Sequence, residues 1–519
     1  MKLRLIFLSL TLVALLSGCG TSEKKSIQPP LVEAVSFLYD TLLKPFYHGV
    51  ASGDPLPDRV IIWTRVTPST SLFRIPIKWE MAADAGFSSI IKSDTSSALA
   101  SKDYILKVDV DGLQPGTVYY YRFNSMGKNS ISGRTKTATI GSSDSLKFAI
   151  ASCSNWEWGY FTPYSKIAER EVLDAVIHLG DYIYEYGPGK YGDTTIGRFN
   201  IPKREIVSLQ DYRTRYSLYR LDKGLRSVHQ QHPFICIWDD HEIANNSFVS
   251  GAQNHQPEEG DYADRKAAAR QAYYEWLPIR EGEKHYRSFS FGSLVYVIML
   301  DERLEGRTEP SPTVSDPNFN NPDRHILGDG QMAWFKSQLQ NSTATWKIIG
   351  NQVIFSDMFL EKVFPKMPRN LDAWDGYPSD KKNLRDFIVQ NKIKDIVFVT
   401  GDTHASWAIE AVAGGKYSLA NSDGAIAVEL GTTSISSGNG DEGKSVDTVK
   451  MMEKALLKMN PHVKYLNDRD HGYLLLTMYP SKTKAEWFYV ETLRQPESKE
   501  FLAKTVSVKK GSVRLDVRK

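Results

Sequence analysis

The sequence predicts an α/β protein with a small all-β domain in front of it. Between about residues 46 and 140, β-branched and apolar runs alternate with turns rich in Pro, Gly and Asp, which is the pattern of short antiparallel strands. From residue 147 onward, short apolar runs alternate with helical segments, and each run ends in polar residues, which is typical of an α/β domain. The chain has 519 residues and is long for a single core, so two domains are expected.

The all-β domain is predicted to be a sandwich of the fibronectin or immunoglobulin type over residues 46–140. Residues 60–64 and 104–108 are apolar and β-branched, which indicates strands. The stretch 113–122 resembles the turn and strand of a fibronectin-type sandwich, in which a Tyr ties the preceding loop down. The polar residues 141–145 indicate a linker to the second domain, which is predicted over 146–519.

Six buried strands are predicted in the second domain, and each releases polar residues at its carboxyl end. They are residues 147–151, 172–179, 233–238, 294–300, 346–350 and 396–400. Helices are predicted at 332–339 and 384–388, and loops at 187–204 and 305–324. Because open α/β sheets bind ligands at the carboxyl ends of their strands, the polar residues there form the candidate site.

The composition weighs against a nucleic-acid-binding protein. Hydrophobic residues make up 41% of the chain and charged residues 24%, which is typical of a soluble globular protein. The net charge is only +3, and the Lys and Arg residues are scattered along the chain. Specific nucleic-acid binding is therefore not expected. A monomer is the expected oligomeric state.

The first 19 residues have the pattern of a bacterial lipoprotein signal peptide. Lys2 and Arg4 precede an apolar run at 5–16, which is too short to span a bilayer as a mature helix. The four residues that end at Cys19 resemble the lipoprotein box, in which the Cys becomes the lipidated first residue of the mature protein. With residues 20–45 as a tether, the protein is expected to be exported and lipid-anchored to the bacterial cell envelope, at the outer membrane or in the periplasm. An ordinary signal peptide with a chance Cys is the alternative.

Three of the strand ends carry residues that suit metal ions. Asp181 and Tyr184 follow one strand, where a carboxylate can bridge two ions and a phenolate is a hard, anionic ligand for ferric iron. Residues 239–246 combine two acids, a His, a Glu and two amides after a second strand. Asp402 and His404 are two residues apart after a third strand, so an extended segment would direct both to the same side. Together they offer oxygen and imidazole ligands.

In this order the motifs resemble the PhoD-type alkaline phosphatase family of the metallophosphoesterase superfamily. The matching stretches are ASCSN at 151–155, LGDYIYE at 179–185, IWDDHE at 237–242, LDER at 300–303 and TGDTH at 400–404, with HGVASGDP at 48–55 and VIIWTR at 60–65 in the β domain. The resemblance covers most of the chain. It implies a four-layer α/β/β/α sandwich and the hydrolysis of phosphate mono- or diesters by a metal-activated hydroxide or oxo group.

The resemblance also implies a ferric iron together with calcium ions. The residues that it places around iron are Cys153, Asp181, Tyr184 and His404. Those that it places around calcium are Asp181, Asp240, Asn245 and Asp402. This division is consistent with chemistry, since thiolate, phenolate and imidazole suit a transition metal, and carboxylate and amide oxygens suit calcium. The choice between Asn245 and Asn246, and that between Asp239 and Asp240, stay open.

Two further residues are candidates for catalysis. His241 could help the leaving group to depart. Arg303 could bind phosphate through its guanidinium, although an ordinary salt bridge with Asp301 or Glu302 is an equal alternative. Cys236, in contrast, lies within an apolar strand and is expected to be a small core residue.

Two other functions fit the pattern less well. A non-catalytic surface-binding lipoprotein could use the same scaffold, because a fold alone does not establish an activity. Relatives that lose activity usually lose ligands, however, and none of the main ligands is missing. A purple-acid-type phosphatase with two transition metals is the second alternative. Cys153 and the lack of an extra His between the second and third acid motifs argue against it.

Replacing Cys19 with Ala should abolish lipid labelling and release the protein from membranes, because Cys19 is the predicted lipidation site. Incorporation of a labelled fatty acid and fractionation of membranes measure the two effects. The Cys236→Ala variant should keep both labelling and membrane association, and it serves as the control. Unchanged labelling and membrane association in the Cys19→Ala protein would contradict the predicted anchor.

Overall fold

The structure is a computed structural model that describes residues 33–440 and 443–518. The predicted signal peptide with Cys19, and residues 20–32 of the predicted tether, lie outside these ranges. Within the described ranges, no helix has both the length and the apolar character that a membrane span requires.

Short strands make up most of the N-terminal region. They are β1 (Val50–Gly53), β2 (Val60–Arg65), β3 (Arg74–Ala82), β4 (Ile90–Leu99), β5 (Ile105–Val110), β6 (Val118–Ser125), β7 (Lys128–Asn129) and β8 (Gly133–Lys136). One sheet has the order β4-β3-β6-β7, and β8 pairs with β6. The hydroxyl of Tyr119 in β6 accepts a hydrogen bond from the backbone N–H of Gln114 (2.8 Å), which confirms the predicted Tyr contact with the preceding loop.

Strands and helices alternate from residue 146 onward. The strands are β9 (Leu146–Ala151), β10 (Ala175–His178), β11 (Pro233–Cys236), β12 (Arg287–Phe291), β13 (Val295–Met299), β14 (Trp346–Asn351), β15 (Ile396–Thr400), β16 (Ser406–Val412), β17 (Ala425–Gly431), β18 (Val463–Asn467), β19 (Gly472–Met478), β20 (Lys482–Val490), β21 (Glu500–Lys509) and β22 (Leu515–Arg518). The helices are α1 (Thr162–Ala168), α2 (Leu209–Arg220), α3 (Lys223–Gln231), α4 (Tyr262–Trp276), α5 (Gly328–Asn341), α6 (Pro378–Gln390) and α7 (Val446–Met459). The six predicted strands and both predicted helices are present, although β10, β11 and β13 are shorter than predicted. The predicted loop 305–324 contains no helix or strand, and the loop 187–204 contains a single 3₁₀ turn, Thr194–Ile196.

Two large sheets pack face to face, and helices cover both outer faces. The larger sheet has the order β22-β21-β20-β19-β9-β10-β11-β1-β2-β5, and the second has the order β12-β13-β14-β15-β17-β16-β18. Ile177 and Ile235 from the larger sheet pack against Ile348 and Val399 from the second, and all four are fully buried. Helices α1–α4 cover the other face of the larger sheet, and α5 and α6 cover that of the second. The result is the four-layer α/β/β/α sandwich that the resemblance implies.

The N-terminal region shares the larger sheet with the rest of the chain. Strands β1, β2 and β5 form one edge of that sheet, and β1 pairs in parallel with β11 through Ser52 opposite Pro233 and Gly53 opposite Phe234. One of the two N-terminal sheets is therefore continuous with the main sheet, and only the β4-β3-β6-β7 sheet belongs to the N-terminal region alone.

The parallel strands of both sheets bring polar residues to one edge of the sandwich. Strands β9, β10 and β11 run parallel to one another, as do β13, β14, β15 and β17. Their carboxyl ends lead directly into Cys153, Asp181 and Asp239 in the larger sheet, and into Gln352 and Asp402 in the second. The candidate residues from distant parts of the chain therefore meet at one edge.

Candidate metal centre

The four predicted iron-side residues converge where the two sheets meet. The Cys153 Sγ, an Asp181 carboxylate oxygen and a His404 ring nitrogen lie within 4.8 Å of one another. The Tyr184 hydroxyl lies 3.0 Å from Asp181 Oδ2 and 3.2 Å from His404 Nε2. Cys153 Sγ lies 3.4 Å from the same carboxylate oxygen. Thiol, phenol, imidazole and carboxylate are therefore arranged around one small volume.

Burial favours the uncharged form of each of these groups. Burial, followed by repulsion from Asp181, raises the pKa of Cys153 and that of Tyr184 well above their ordinary values. Burial likewise raises the pKa of Asp181 well above its ordinary value and lowers the pKa of His404 to about 4. The thiol and the phenol would ionise here only with a cation beside them to compensate the charge.

A second group of acids lies next to the first. Carboxylate oxygens of Asp239, Asp240 and Asp402 lie within 4.8 Å of one another, and Asp240 is equally close to Asp181 and to a nitrogen of His241. Burial raises the pKa of Asp239 to about 8 and that of Asp402 to about 7. The side chain of Asp402 keeps 19% of its surface exposed, so the site opens to solvent on that side. Carboxylates at this density suit calcium.

Arg303 is the buried positive charge among these acids. Its Nε donates to Asp239, its Nη1 to Asp372 (2.6 Å) and its Nη2 to Asp402 (3.0 Å). Its Nη2 also lies 3.8 Å from Asp240. Burial would raise the pKa of Asp240, but the charges of Arg303 and His241 and the hydrogen bond from the backbone N–H of Asn246 together lower the pKa below its ordinary value. The guanidinium of Arg303 therefore bonds to carboxylates of the site. It does not pair with Asp301 or Glu302, the acids that precede it in its own loop.

Four of the predicted ligands have a left-handed backbone conformation. Their φ angles are 60°, 55°, 60° and 57° at Cys153, Asp181, Asp402 and His404. Such angles are uncommon outside Gly and cluster at functional sites. Gly180 precedes this turn with a φ of +101°, and a Cβ there would lie 2.2 Å from the backbone nitrogen of Asp239. Only Gly allows the two strand-end loops to approach so closely.

Two buried side chains fix the loops that carry the ligands. The Glu242 carboxylate accepts hydrogen bonds of 2.6–3.0 Å from the backbone N–H groups of Asp181, Tyr182 and Asp239. Gln352, from the second sheet, donates to the carbonyl oxygen of Trp238 at the end of the larger sheet (2.9 Å). These bonds join the loops of one sheet to each other and to the second sheet.

His241 lies in the site and is oriented by Glu185. Its Nδ1 is 2.7 Å from Glu185 Oε2, and Glu185 Oε1 accepts a hydrogen bond from the backbone N–H of Asn245 (2.8 Å). Burial would lower the pKa of His241, but the charges of Asp240 and Glu185 raise it well above its ordinary value. The neighbouring acids therefore favour the protonated form of the imidazole.

The two Asn candidates differ in their contacts. The side-chain amide of Asn245 donates to Gln253, and the contacts within the described ranges do not bring it to the carboxylates. Asn246 has a left-handed backbone with a φ of 53°, and its N–H donates to Asp240 Oδ2 (2.5 Å). Asn246 therefore bonds directly to one of the crowded acids, Asp240. Asn245 is linked to the site only indirectly, through the hydrogen bond of its backbone N–H to Glu185.

Several residues of the site are not among the sequence candidates. Asp372 lies in a loop between β14 and α6 and accepts hydrogen bonds from two buried arginines. Ser437 donates to the Tyr184 hydroxyl (2.6 Å), and the Tyr191 hydroxyl lies 3.3 Å from His404 Nδ1. Asp372 and Tyr191 lie in the loops after β14 and β10, but many residues beyond the ends of those strands. Only Ser437 follows soon after a strand, β17, which was not predicted.

The residues present fit bound metal ions. Asp181 Oδ1 and Asp239 Oδ2 are buried oxygens with no hydrogen-bond partner in the ranges 33–440 and 443–518. Buried polar atoms without a partner are uncommon because they are costly, and a cation would satisfy both. The sulfur, nitrogen and oxygen donors around Cys153 suit a transition metal, and the carboxylates around Asp402 suit calcium.

Comparisons with known proteins point to one family. Residues 148–487 match the family model for the PhoD-like phosphatase, and residues 38–139 match that for the N-terminal domain of PhoD-like phosphatases. The chain is 37% identical over 476 residues to alkaline phosphatase D of Bacillus subtilis (strain 168), which covers 87% of this chain and 79% of that protein. A solved structure described as "Structure of PhoD" has a TM-score of 0.82 and 34% sequence identity, and the match covers 92% of this chain and 93% of that one.

Replacing Arg303 with Met should destabilise the metal-free protein by about 3–5 kcal/mol, because the change leaves buried carboxylates without their cation. The metal-loaded protein should lose less stability, since bound cations supply positive charge to the same acids. Urea unfolding of wild type and variant, with and without a chelator, measures both losses.

The control for this experiment is Arg287→Met. Arg287 pairs with Asp54 (2.9 Å) outside the site, so its loss should lower stability equally in both states. Equal losses with and without metal in the Arg303→Met protein would contradict the shared role of Arg303 and the cations.

Proposed function

The chain belongs to the PhoD-like phosphatase family and is a phosphoric ester hydrolase, and we propose that it hydrolyses phosphate mono- or diesters with metal ions bound at this centre. The observation that carries the proposal is the convergence of thiol, phenol, imidazole and carboxylate groups from three strand ends. Ordinary packing gives no reason to collect such groups in a buried place.

The residues divide into two sets of ligands. Ferric iron would be held by Cys153, Asp181, Tyr184 and His404. Calcium would be held by Asp181, Asp240 and Asp402, with Asn245 or Asn246 as the amide ligand. Metal ions in such a site supply an activated water and offset the negative charge that builds up on the phosphoryl oxygens.

The side chains around these ligands orient them and handle protons. Arg303 fixes Asp239 and Asp402 through direct hydrogen bonds and keeps their carboxylates in place. Glu185 holds Nδ1 of His241, which leaves Nε2 to give a proton to the departing alkoxide. His241 is thus the proposed general acid, and Arg303 is a positioning residue rather than a direct phosphate ligand.

The N-terminal sequence supports an extracytoplasmic location. A basic start, an apolar run at 5–16 and a lipoprotein box ending at Cys19 are the signals of an exported lipoprotein. We therefore place the enzyme at the bacterial cell envelope as a lipid-anchored monomer that acts on phosphate esters outside the cytoplasm. Its partners are the substrates and the membrane, with no specific binding of nucleic acid.

Two conservative changes test the iron site. Cys153→Ser and Tyr184→Phe each remove an anionic donor while changing shape little. Thiolate and phenolate bound to ferric iron absorb visible light through charge transfer, so the wild-type protein should be coloured and each variant should lose or shift the band. Turnover should fall by more than the roughly 10–100-fold that follows loss of an outer-shell partner of a metal. Visible absorption, iron content and phosphodiester hydrolysis are measured on all proteins.

Cys236→Ser is the matched control for this experiment. Cys236 is also a buried free Cys, but it lies inside β11 rather than beyond a strand end. This variant should keep its colour, its iron and its turnover. A colourless wild-type protein with full activity would contradict the iron assignment. Normal iron content and normal turnover in both site variants would show that Cys153 and Tyr184 only pack in the core.

A further inference from the structure

A mainly apolar cavity is lined in part by chain neighbours of the metal-centre residues. Its volume is about 200 Å³. The loop after β14, the chain segment after Asp402 and helix α7 together form its walls. The wall residues that matter here are Met358, Leu360, Phe364, Thr403, Trp407 and Leu456.

One wall of the cavity is continuous with the predicted ligands. Thr403 lines the cavity and lies between Asp402 and His404 in the chain. Its Oγ1 accepts a hydrogen bond from Nε1 of Trp407 (2.9 Å), which fixes the indole as part of the same wall. Asp402 is also the acid at which the site opens to solvent. The cavity wall and two of the predicted ligands therefore share one short segment of chain.

A second wall adjoins the acid that holds Arg303. The side chain of Asn370 accepts a hydrogen bond from the backbone N–H of Asp372 (3.1 Å). Asn370 and Ala373, on either side of Asp372, both line the cavity. Residues next to site groups thus bound the cavity on two sides.

We propose that this cavity binds one apolar ester substituent of a phosphodiester substrate. The inference rests on the proposed hydrolysis of phosphate esters at the adjoining centre. A diester carries two substituents, so one can enter the cavity while the other extends to solvent when the phosphoryl group is at the metals. The cavity wall is mainly apolar, and its charged lining residues, Asp375 and Asp468, are both acids, so an anionic or strongly hydrated substituent would lose its hydration there without compensation.

The size of the cavity sets the size of the substituent. An apolar cavity of about 150 Å³ is large enough to bind benzene. The cavity here therefore accommodates an aromatic ring or a short alkyl chain, and it is too small for a helix or strand of a partner protein. Each methylene that it buries should contribute roughly fourfold in affinity.

Two pairs of compounds test the proposal on the metal-loaded protein. Hexylphosphonate and methylphosphonate measure binding by calorimetry, without turnover. The para-nitrophenyl hexyl and methyl phosphates share a leaving group and measure kcat/KM. Hexylphosphonate should bind at least about tenfold more tightly than methylphosphonate, and the hexyl ester should have a kcat/KM at least about tenfold higher than the methyl ester. Full burial of the extra methylenes would give a larger ratio.

Variants of the cavity wall locate the preference. Leu456 on α7 is only 5% exposed, and Leu456→Trp should narrow the cavity and lower the hexyl preference by about tenfold. Phe364→Ala removes part of another wall and should also lower it, which keeps the test decisive if the first variant does not fold. Met451 lies on the same helix but is 70% exposed, so Met451→Trp should leave the preference unchanged. Reactivity with the methyl ester should stay within about twofold in all three, because these residues are neither predicted metal ligands nor hydrogen-bond partners of them in the described ranges.

The outcomes separate this inference from the function on which it rests. Equal binding of hexyl- and methylphosphonate to the wild-type protein would overturn the cavity proposal. A hexyl preference that neither Leu456→Trp nor Phe364→Ala reduces would also overturn it, since the preference would then arise elsewhere. If neither para-nitrophenyl ester is hydrolysed, the proposed function fails, and the phosphonate affinities still decide whether the cavity binds apolar groups.

Discussion

The repulsion among four crowded carboxylates is the constraint on which the rest of this site depends. Asp181, Asp239, Asp240 and Asp402 bring their oxygens together at one edge of the sandwich. The guanidinium of Arg303 contacts three of these acids but cannot neutralise all four. Burial therefore still raises the pKa of Asp239 and that of Asp402, to about 8 and about 7. A group of acids that stays partly unpaired at this depth is arranged to receive cations.

The fold supplies the rigidity that such a site requires. The left-handed turns at the strand ends have a free-energy cost, and the hydrogen bonds of Glu242 and Gln352 hold them in place from the two sheets. Gly180 lets two of the loops approach within contact distance. The same edge also carries Thr403, so the ligands and the wall of the apolar cavity belong to one short segment. The proposed metal ligands and the proposed site for the ester substituent are therefore positioned by the same strand ends.

The sequence predicts the parts of this protein that depend on short stretches of chain. Acids directly after apolar strands identify Asp181 and Asp402, because strand and ligand are adjacent in sequence. Helix α2 was not predicted, since it buries Tyr and Arg side chains rather than an aliphatic stripe. The union of β1 with β11 and the role of Asp372 were also missed. Both depend on contacts between segments that are far apart in sequence. Ser52 pairs with Pro233 in the first case and Arg303 bonds to Asp372 in the second, and no local sequence pattern indicates either contact.

The metal content of the purified full-length protein tests the account most directly. Elemental analysis by mass spectrometry gives iron, calcium and every other transition metal in one measurement on one sample. The account predicts iron and calcium together, because the donors around Cys153 suit the first and the carboxylates around Asp402 suit the second. Two transition metals without calcium, or an active protein with no bound metal, would contradict it.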